Sequence, residues 1–336
     1  MGWGAAGRAI DVMWDEPRRA SAAIARTAGA GARAPWDDLR AAVDADRSTF
    51  TPAARVRRAL RMTRALAWPE AHARLAANPA LRAHVAAVAP GDRIFWLAHR
   101  FYLVRGLPAR DRVALALAHY EHEARRFDRS YLDAVYAGGG LPLWRSGAAG
   151  ASYELRLMPG NDVLYEGGLS IVMFVNGECV CVTSFSWAPE RIALGQGGEG
   201  LVPLVTRKQL TGERGYQAAF HKAFDRVTPQ HLSAAALCGI GAALGCDRFV
   251  GLAADRHPSS APERRDQFVA AYDEFWQSLG GERASALGFV VDLPFRLPPL
   301  DAMDARRRRR AADRRAHMAA VREAARESIA AHIRLR

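Results

Sequence analysis

The chain has 336 residues, of which 50% are hydrophobic and 24% are charged, and this is the composition of a globular protein. Such a length provides for one large domain or two of ordinary size. The formal net charge is +12, and 45 of the 47 basic residues are arginine, since only Lys208 and Lys222 are lysines. A basic surface favours anionic partners such as lipid head groups, nucleic acid or phosphorylated ligands.

Neither a secretory leader nor a membrane span is predicted. Asp11, Asp15 and Glu16 interrupt the apolar residues near the N-terminus. No window approaches the roughly 20 uninterrupted apolar residues that a membrane span needs. The four cysteines lack the spacing of a metal site or a disulfide scaffold, so reduced thiols are predicted. We therefore expect a cytoplasmic protein, with peripheral attachment to the inner membrane as a further expectation.

The first part of the chain is predicted to be helical after a weakly patterned N-terminus. Residues 1–50 are rich in Ala, Gly and Arg without clear periodicity, so poor order is expected there. Thr51-Pro52 is typical of a helix start. Apolar residues between 108 and 126 are spaced for one buried helical face. A helical region is therefore predicted over residues 51–136, followed by a glycine-rich linker over residues 137–150.

Beyond this linker the apolar pattern changes from a helical to an extended period. Asn176-Gly177 separates two apolar runs, residues 169–175 and 178–187. Asn-Gly between such runs is the strongest short hairpin signal, because a type I′ turn needs positive φ at both central residues. Both runs are apolar on both faces, so the hairpin is expected in the middle of a sheet. A mixed α/β (α+β) domain is predicted over residues 151–300.

Further helices and strands are predicted to complete this domain. They are helices over residues 206–224 and 229–244, and strands over residues 248–253 and 287–293. Residues 260–281 predict another helix, with a capping box, one aromatic stripe and a stop at Gly280-Gly281. Asp273 and Glu274 lie off that stripe and are expected to face solvent. Residues 301–336, with eleven arginines and five acids, predict an arginine-rich C-terminal helix.

Several short motifs follow one another in a fixed order from about Leu107 onwards, namely His119-Tyr120, Glu166-Gly167-Gly168-Leu169, Gln196-Gly197, Lys222, Pro229, His257, the run YDEFWQSLGG at 272–281 and the arginine-rich tail. In their order and spacing these motifs resemble the VirK-like family of bacterial proteins. The chain departs from the family pattern at His221 and over residues 226–229. The resemblance implies a bacterial protein linked to virulence, to surface-protein display or to envelope resistance, and it implies no established substrate.

A glycine-rich loop after the hairpin is a candidate ligand-binding site. Gln196, Gly197 and Gly198 are predicted to lie between a strand and a helix, where backbone amides can hold an anion. Arg191 and Lys222 are the basic candidates for the same ligand. The predicted order of elements is similar to the core of GNAT-type N-acyltransferases, which hold acyl-CoA in an Arg/Gln-x-x-Gly-x-Gly/Ala loop. The interval after Arg191 is one residue too long for that motif, and a tight turn that needs glycine is the alternative.

Glu166 and His257 are the candidate catalytic residues. Glu166 precedes a central strand and two glycines, where a partly buried carboxylate can act as a general base. His257 follows a strand end, where ligands often bind in open α/β sheets. A turn-capping carboxylate and a solvated loop histidine are the alternatives. No metal site is predicted, because the spacing of His119 and His122 fits no zinc motif, and His122 and Glu123 are expected to face solvent.

The preferred interpretation is a VirK-like accessory protein that acts at or near the inner face of the cell envelope. The stretch that begins at Arg306 and ends at Arg315 is predicted to lie along an anionic membrane surface, with apolar side chains on the same helix. Those side chains are Met318, Val321, Ile329 and Ile333. The alternative is an acyltransferase that uses an acyl-CoA-like donor. Nucleic-acid binding ranks last, because no aromatic side chains are interleaved with the arginines.

Overall fold

The computed structural model describes residues 67–83, 102–160, 166–195, 198–210, 220–224, 227–260 and 265–334, with a few single residues between 51 and 63 and at 263. For residues 207–210 it describes the backbone only. The predictions for residues 1–50 and for Gln196-Gly197 lie outside the described residues. Within the described part of the chain, no helix combines the length and the apolar character needed to cross a membrane.

A seven-stranded mixed sheet forms the centre of the structure, and its strands follow one another across the sheet in chain order. The strands are β1 (Leu141–Ala148), β2 (Ala151–Pro159), β3 (Leu169–Val175), β4 (Glu178–Pro189), β5 (Leu201–Leu210), β6 (Arg248–Leu252) and β7 (Gly288–Asp292). All neighbouring strands are antiparallel except β5 and β6, which are parallel. The predicted mixed α/β (α+β) fold is thereby confirmed.

Helices surround this sheet. They are α1 (Pro69–Ala77), α2 (Pro79–Ala83), α3 (Ala109–Arg126), α4 (Arg129–Leu132), α5 (Glu190–Ala193), α6 (Pro229–Leu244), α7 (Arg265–Phe268), α8 (Glu274–Ser278) and α9 (Ala305–Ala330). A π-helical turn over Asp133–Ala137 follows α4, and another over Val269–Asp273 joins α7 to α8. Two clusters of buried apolar side chains result, one of which lies between the sheet and α6 and α9, while the other includes α1 and α3.

The predicted hairpin is confirmed as β3 and β4, the third and fourth strands of seven. Asn176 has φ of 51° and Gly177 has φ of 83°, so both central residues adopt the positive φ that the turn requires. Most side chains of both strands are buried, as their apolar character on both faces predicted. The local sequence was therefore sufficient to place the middle of the sheet.

The linker prediction for residues 137–150 was wrong, because most of this segment is β1. Its glycines and its proline argued against a strand. The strand tolerates them because β1 lies at the edge of the sheet, where one side of the backbone needs no partner. A register shift between Pro142 and Trp144 accommodates the proline.

The helix prediction over residues 206–224 was wrong at its start, because β5 extends through Leu210. Pro203 lies within this strand, although proline cannot donate to a ladder. The β5–β6 pairing, however, begins only at Leu204, so the missing donor lies outside it. Described helix is found only after the gap, at residues 220–223.

The helix predicted over residues 260–281 is present as α7, a π-helical turn and α8. Its aromatic stripe is buried at Tyr272, Phe275 and Trp276. Gly280 follows with φ of 84°, which confirms the glycine stop. The prediction that Asp273 faces solvent was wrong, because its Oδ1 accepts a 2.8 Å hydrogen bond from the backbone N–H of Ala254.

The long helix α9 confirms the predicted C-terminal helix and packs against α6 and β1. At the crossing with α6, a Cβ on Gly239 would lie 2.2 Å from the carbonyl oxygen of Arg322, so only glycine permits this approach. Ser328 Oγ donates to the carbonyl oxygen of Pro142 over 2.7 Å. Beyond the helix, the backbone N–H of Arg334 donates to the carbonyl oxygen of Arg126 over 3.0 Å.

The apolar side chains of α9 face the protein's own core. Val321 and Ile329 are buried there, and Met318 and Ile333 are partly buried against the same cluster. These apolar side chains are therefore not available to a membrane surface, and the attachment of residues 306–315 to an anionic membrane stays a prediction. The five side chains of Arg306 to Arg310, in contrast, are all exposed.

Candidate functional site

Residues 166–168 lie against β4 before the chain enters β3. The backbone N–H of Gly168 donates to Ser186 Oγ over 2.8 Å. A Cβ on Gly167 would lie 2.9 Å from Cβ of Ser184, and a Cβ on Gly168 would lie 2.1 Å from Nε2 of His119. The two glycines therefore let the backbone approach its neighbours closely. This close approach keeps Glu166 inside the protein, where it is 2% exposed.

The turn that follows β6 brings a second group of side chains to Glu166. Ala254–Arg256 forms one 3₁₀ turn, and the carboxylate of Asp273 caps its first backbone N–H. The backbone N–H of Ser260 donates to the carbonyl oxygen of His257 over 3.1 Å, which folds the chain back on itself. His257 is 2% exposed as a result, while Ser259 is only partly buried.

Three hydrogen bonds, one of them from a backbone N–H, link four residues, which we call the Glu166 cluster (Glu166, His257, Ser259 and Tyr272). Ser259 Oγ donates to Glu166 Oε1 over 2.7 Å. The backbone N–H of Ser259 donates to His257 Nδ1 over 3.1 Å. His257 Nε2 lies 3.0 Å from the hydroxyl oxygen of Tyr272. The structure thus brings the two predicted catalytic residues together, although 91 positions separate them in the sequence.

These contacts define the state of the imidazole. Because Nδ1 of His257 accepts a backbone hydrogen bond, the neutral ring carries its proton on Nε2 and donates it to Tyr272. The rings of His257 and Tyr272 lie 4.7 Å apart, and Phe268 stacks on Tyr272 at 5.6 Å. The π-helical turn that contains Tyr272 therefore holds a phenol against a neutral imidazole.

A cation lies beside the partly exposed serine of this cluster. The guanidinium of Arg105 donates to the carbonyl oxygen of Ser260. The backbone N–H of Arg105 in turn donates to the carbonyl oxygen of Arg256 over 2.9 Å, which ties the segment before α3 to the turn after β6. A positive charge is thereby placed one residue from Ser259, where it favours anionic groups.

The Glu166 cluster lies at the open end of the parallel strand pair. β5 and β6 pair only at Leu204–Val250 and at Val205–Gly251, although β5 continues to Leu210. The strands therefore part immediately after Val205, and His257 follows the carboxyl end of β6. In open α/β sheets ligands bind outside the carboxyl ends of parallel strands, so this position suits a ligand.

A second set of polar side chains, the Glu123 cluster (His119, His122, Glu123, Tyr131 and Trp187), adjoins Gly168 through His119, and its members are buried except His122, which is partly exposed. Trp187 Nε1 donates to Glu123 Oε1 over 2.8 Å. The backbone N–H of Trp187 donates to His119 Nδ1 over 3.3 Å. The rings of His122 and Trp187 lie 4.8 Å apart. The prediction that Glu123 faces solvent was wrong, since it is fully buried.

Burial controls the protonation of this second cluster. It raises the pKa of Glu123 to about 7, and hydrogen bonds from Tyr131 and Trp187 act in the opposite direction. Burial, together with the charge of His122, lowers the pKa of His119 to about 3. Burial, together with the charges of Arg126 and Arg125, lowers the pKa of His122 to about 4. Near neutral pH both imidazoles are therefore uncharged. Among the described residues, no group of three His, Cys, Asp or Glu side chains is arranged to hold a metal ion.

The glycine-rich loop does not have the surroundings that the sequence predicted. It follows α5 and precedes β5, so it does not lead from a strand into a helix. Gly198 and Gly200 lie beside the carboxylate of Glu190, which disfavours an anion there. The loop lies at the amino end of β5, whereas His257 follows the carboxyl end of the parallel β6. The Glu166 cluster and the loop are thus at opposite ends of this strand pair.

The remaining predicted ligand residues do not join either cluster. Arg191 is exposed on α5, and Lys222 is exposed near residue 220. Neither side chain has a described contact with Glu166 or with His257.

A surface depression of about 480 Å³ lies elsewhere, over β1, β2 and β3. Its lining includes Arg145, Tyr153, Glu154 and Phe174. Arg145 pairs with Glu154 over 2.7 Å, so these two charges satisfy each other. No member of the Glu166 cluster lines the depression, and the charges of Arg145 and Glu154 are already paired with each other.

Sequence reasoning missed three residues of the site, namely Arg105, Ser259 and Tyr272. Ser259 lies two positions after a candidate histidine, and Tyr272 begins the run YDEFWQSLGG, which was interpreted as core. Tyr272 carries a hydroxyl on the otherwise apolar stripe of a predicted helix. A buried hydroxyl requires a hydrogen-bond partner, and this was the signal that could have identified Tyr272. No local pattern pointed to Arg105.

A family model described as Protein of unknown function (DUF535) matches residues 55–327, which is most of the chain. The match spans α1 to α9 up to residue 327, and it includes both polar clusters. Searches of the curated proteins and of the solved structures found no match.

Proposed function

Because the chain belongs to the DUF535 family, we propose the role that its resemblance to the VirK-like proteins implies. In this role it is a bacterial accessory protein that works in the cytoplasm, attached peripherally to the inner face of the cell envelope. The observation that supports the proposal is the exposed run of five arginines from Arg306 to Arg310 at the start of α9.

The position of these arginines favours an anionic partner. The amino end of a helix carries a partial positive charge, so cations there are unfavourable unless negative charge is nearby. Asp304 caps the helix through the backbone N–H of Arg307 and lies 3.2 Å from its guanidinium. Asp301 and Asp313 flank the run in the sequence, and three carboxylates do not balance its five arginines. An anionic lipid surface supplies the missing charge, at about 1 kcal/mol for each basic residue near it.

Because the apolar side of α9 packs in the core, the attraction is electrostatic and must weaken with salt. The experiment is co-sedimentation of the full chain with vesicles that contain phosphatidylglycerol or only phosphatidylcholine. We expect binding to the anionic vesicles alone, and its loss in a variant with Arg308, Arg309 and Arg310 changed to Gln.

A charge-matched control keeps the test specific. Arg110, Arg125 and Arg129 are exposed outside the patch, and their change to Gln removes the same charge. Binding that falls equally in both triple variants, or that persists in high salt, contradicts the proposal.

A second candidate function is acyl transfer from a phosphate-bearing acyl donor such as acyl-CoA. The Glu166 cluster at the open end of β5 and β6 favours it, because it combines a carboxylate, an imidazole and two hydroxyls within hydrogen-bond distance. Glu166 accepts the proton that the reacting group loses, and His257 orients Tyr272. Arg105 contributes the positive charge that the phosphates of the donor require.

This second candidate is tested by thermal unfolding with acetyl-CoA. A ligand present at 100 times its Kd stabilises the folded state by about 2.7 kcal/mol, which raises the Tm by several degrees. We expect this shift in the wild type, and release of free CoA that is lost in Glu166→Gln. The control variant is Glu190→Gln at the glycine-rich loop, which should behave as the wild type. No shift with acetyl-CoA eliminates the candidate.

A further inference from the structure

Ser259 is the member of the Glu166 cluster that solvent reaches. Glu166 and His257 are each 2% exposed and Tyr272 is buried, whereas Ser259 is partly exposed. Ser259 is therefore the member of the cluster that a dissolved substrate approaches first. It can contact a substrate directly, whereas Glu166 and His257 are buried and act on its hydroxyl and its backbone.

The hydroxyl of Ser259 is held in a reactive geometry. A serine is a weak nucleophile until an adjacent base removes its proton. Glu166 Oε1 lies 2.7 Å from Ser259 Oγ, which is the distance that such a transfer requires. The backbone of Ser259 is fixed by its hydrogen bond to His257, and Asp273 fixes the turn before it. The hydroxyl is thus positioned by its surroundings.

We propose that Ser259 is the nucleophile of a covalent acyl-transfer step, which rests on the acyl-transfer function proposed above. Ser259 Oγ attacks the carbonyl carbon of a thioester donor, and its proton passes to Glu166 Oε1 as the new O–C bond forms. The C–S bond then breaks, and the leaving thiolate takes that proton from Glu166. The products are a free thiol and an acylated serine, and the carboxylate is restored.

The acyl group leaves Ser259 by the reverse chemistry. An acceptor hydroxyl or amine attacks the acyl-serine ester, and Glu166 takes its proton and returns it to Ser259 Oγ. The guanidinium of Arg105 donates to the backbone carbonyl oxygen of Ser260, and its positive charge favours the negative charge that develops on the carbonyl oxygen of the substrate in both steps.

The test is covalent labelling of the full chain with a fluorophosphonate probe, which reacts with activated serines. Mass spectrometry of the peptides locates the label, which we expect on Ser259. Ser259→Ala should abolish labelling, and Glu166→Gln should slow it by a factor on the order of 10²–10⁴, the usual contribution of a general base. Ser260→Ala, a change of the neighbouring serine, should leave the rate unchanged.

Two further measurements make each outcome decisive. Glu166→Asp retains a carboxylate and should retain part of the rate, which distinguishes loss of the base from loss of the fold. A wild-type chain that is not labelled on Ser259, or a Glu166→Gln variant labelled at the wild-type rate, overturns the proposal. Stabilisation by acetyl-CoA without labelling leaves direct acyl transfer standing and removes the covalent step. Labelling without stabilisation supports a nucleophilic Ser259 and removes acyl-CoA as the donor.

Discussion

The Glu166 cluster and the Glu123 cluster both adjoin residues 166–168 and contain similar chemical groups. Each has one buried carboxylate, at least one imidazole and a phenol. They differ in the residue that binds the carboxylate. Glu166 accepts a hydrogen bond from the hydroxyl of the partly exposed Ser259, whereas Glu123 accepts one from the buried Trp187, and the partly exposed member of its cluster is His122. The comparison shows that a buried carboxylate becomes a candidate for chemistry where the side chain bonded to it is accessible. In the Glu123 cluster, protonation of the buried groups changes the free energy of unfolding.

The largest expected effect comes from a side chain placed at Gly168, against His119 of the Glu123 cluster. In Gly168→Val the new Cβ would lie 2.1 Å from Nε2 of His119, which is fully buried and cannot move aside. We expect a loss of about 3 kcal/mol or more in the free energy of unfolding, because overpacking of a dense core is this costly. Urea unfolding followed by circular dichroism measures it.

The matched control for this change is Gly147→Val. No atom lies within 4 Å of a Cβ at Gly147, so the new side chain meets no neighbour there. We expect less than about 0.5 kcal/mol of change, as for most surface substitutions. Equal losses of stability in the two variants would show that Gly168 is not closely packed against His119.

The next largest effect is the pH dependence of stability that the Glu123 cluster produces. The pKa of Glu123 is raised to about 7 in the folded protein, above the ordinary 4.5. The protonated carboxyl of Glu123 therefore contributes fully to the free energy of unfolding below pH 4.5, and this contribution is lost as the pH rises through 7. Since a shift of one unit corresponds to about 1.4 kcal/mol, Glu123→Gln should be more stable than the wild type by about 3 kcal/mol at pH 8. Near pH 4 the two proteins should unfold alike.

Comparing the two proteins at each pH isolates Glu123 from its neighbours. His119 and His122 have lowered pKa values in the folded protein. Their neutral rings therefore contribute to the free energy of unfolding above pH 6.5, and this contribution is lost as the pH falls towards 4. This loss affects the wild type and Glu123→Gln equally. A Gln variant that gains no stability at pH 8 would mean that Glu123 is not held in its protonated form.

The smallest effect concerns the hydroxyl groups of two buried tyrosines. Tyr272→Phe removes the hydrogen bond to His257 and should cost about 1 kcal/mol. Tyr153→Phe removes a hydroxyl that is buried without a hydrogen-bond partner among the described residues, so it should be neutral or stabilising. Thermal unfolding of both variants decides the matter, and the reverse order of stabilities would contradict the hydrogen bonding of the Glu166 cluster.

Local features of the fold could be predicted from the sequence because they depend on neighbouring residues. The turn at Asn176-Gly177 and the stops at Gly245 and Gly280 all require positive φ, which few residues other than glycine and asparagine tolerate. β1 was missed because its glycines and Pro142 suggested a linker, and the second half of β5 was missed because residues 206–210 were included in a predicted helix. Whether a proline harms a strand depends on which of its edges is paired, and that is a property of the whole sheet.

The clusters depended on contacts that no short pattern contains. Glu166 and Ser259 are 93 positions apart, and their hydrogen bond exists only after the sheet has formed. His119 and Glu123 share a helical face, but the polar character of Glu123 suggested that it faces solvent. Trp187, which supplies hydrogen bonds to both, lies 64 positions or more away from them. Glu166 and His257 could be named as candidates from the sequence. The contacts that give each buried carboxylate its surroundings could not, because they join distant parts of the chain.

The hydrogen bonds of residues 328–334 have a consequence for the order of events during synthesis. Ser328 binds Pro142 at the edge strand, and Arg334 binds Arg126 at the end of α3. Domains usually begin to fold from the part that the ribosome makes first. Here β1 and the end of α3 emerge long before the residues that cover them. The nascent chain must therefore keep this edge from pairing elsewhere, and an interruption of translation before α9 leaves the first half of the sheet open to aggregation.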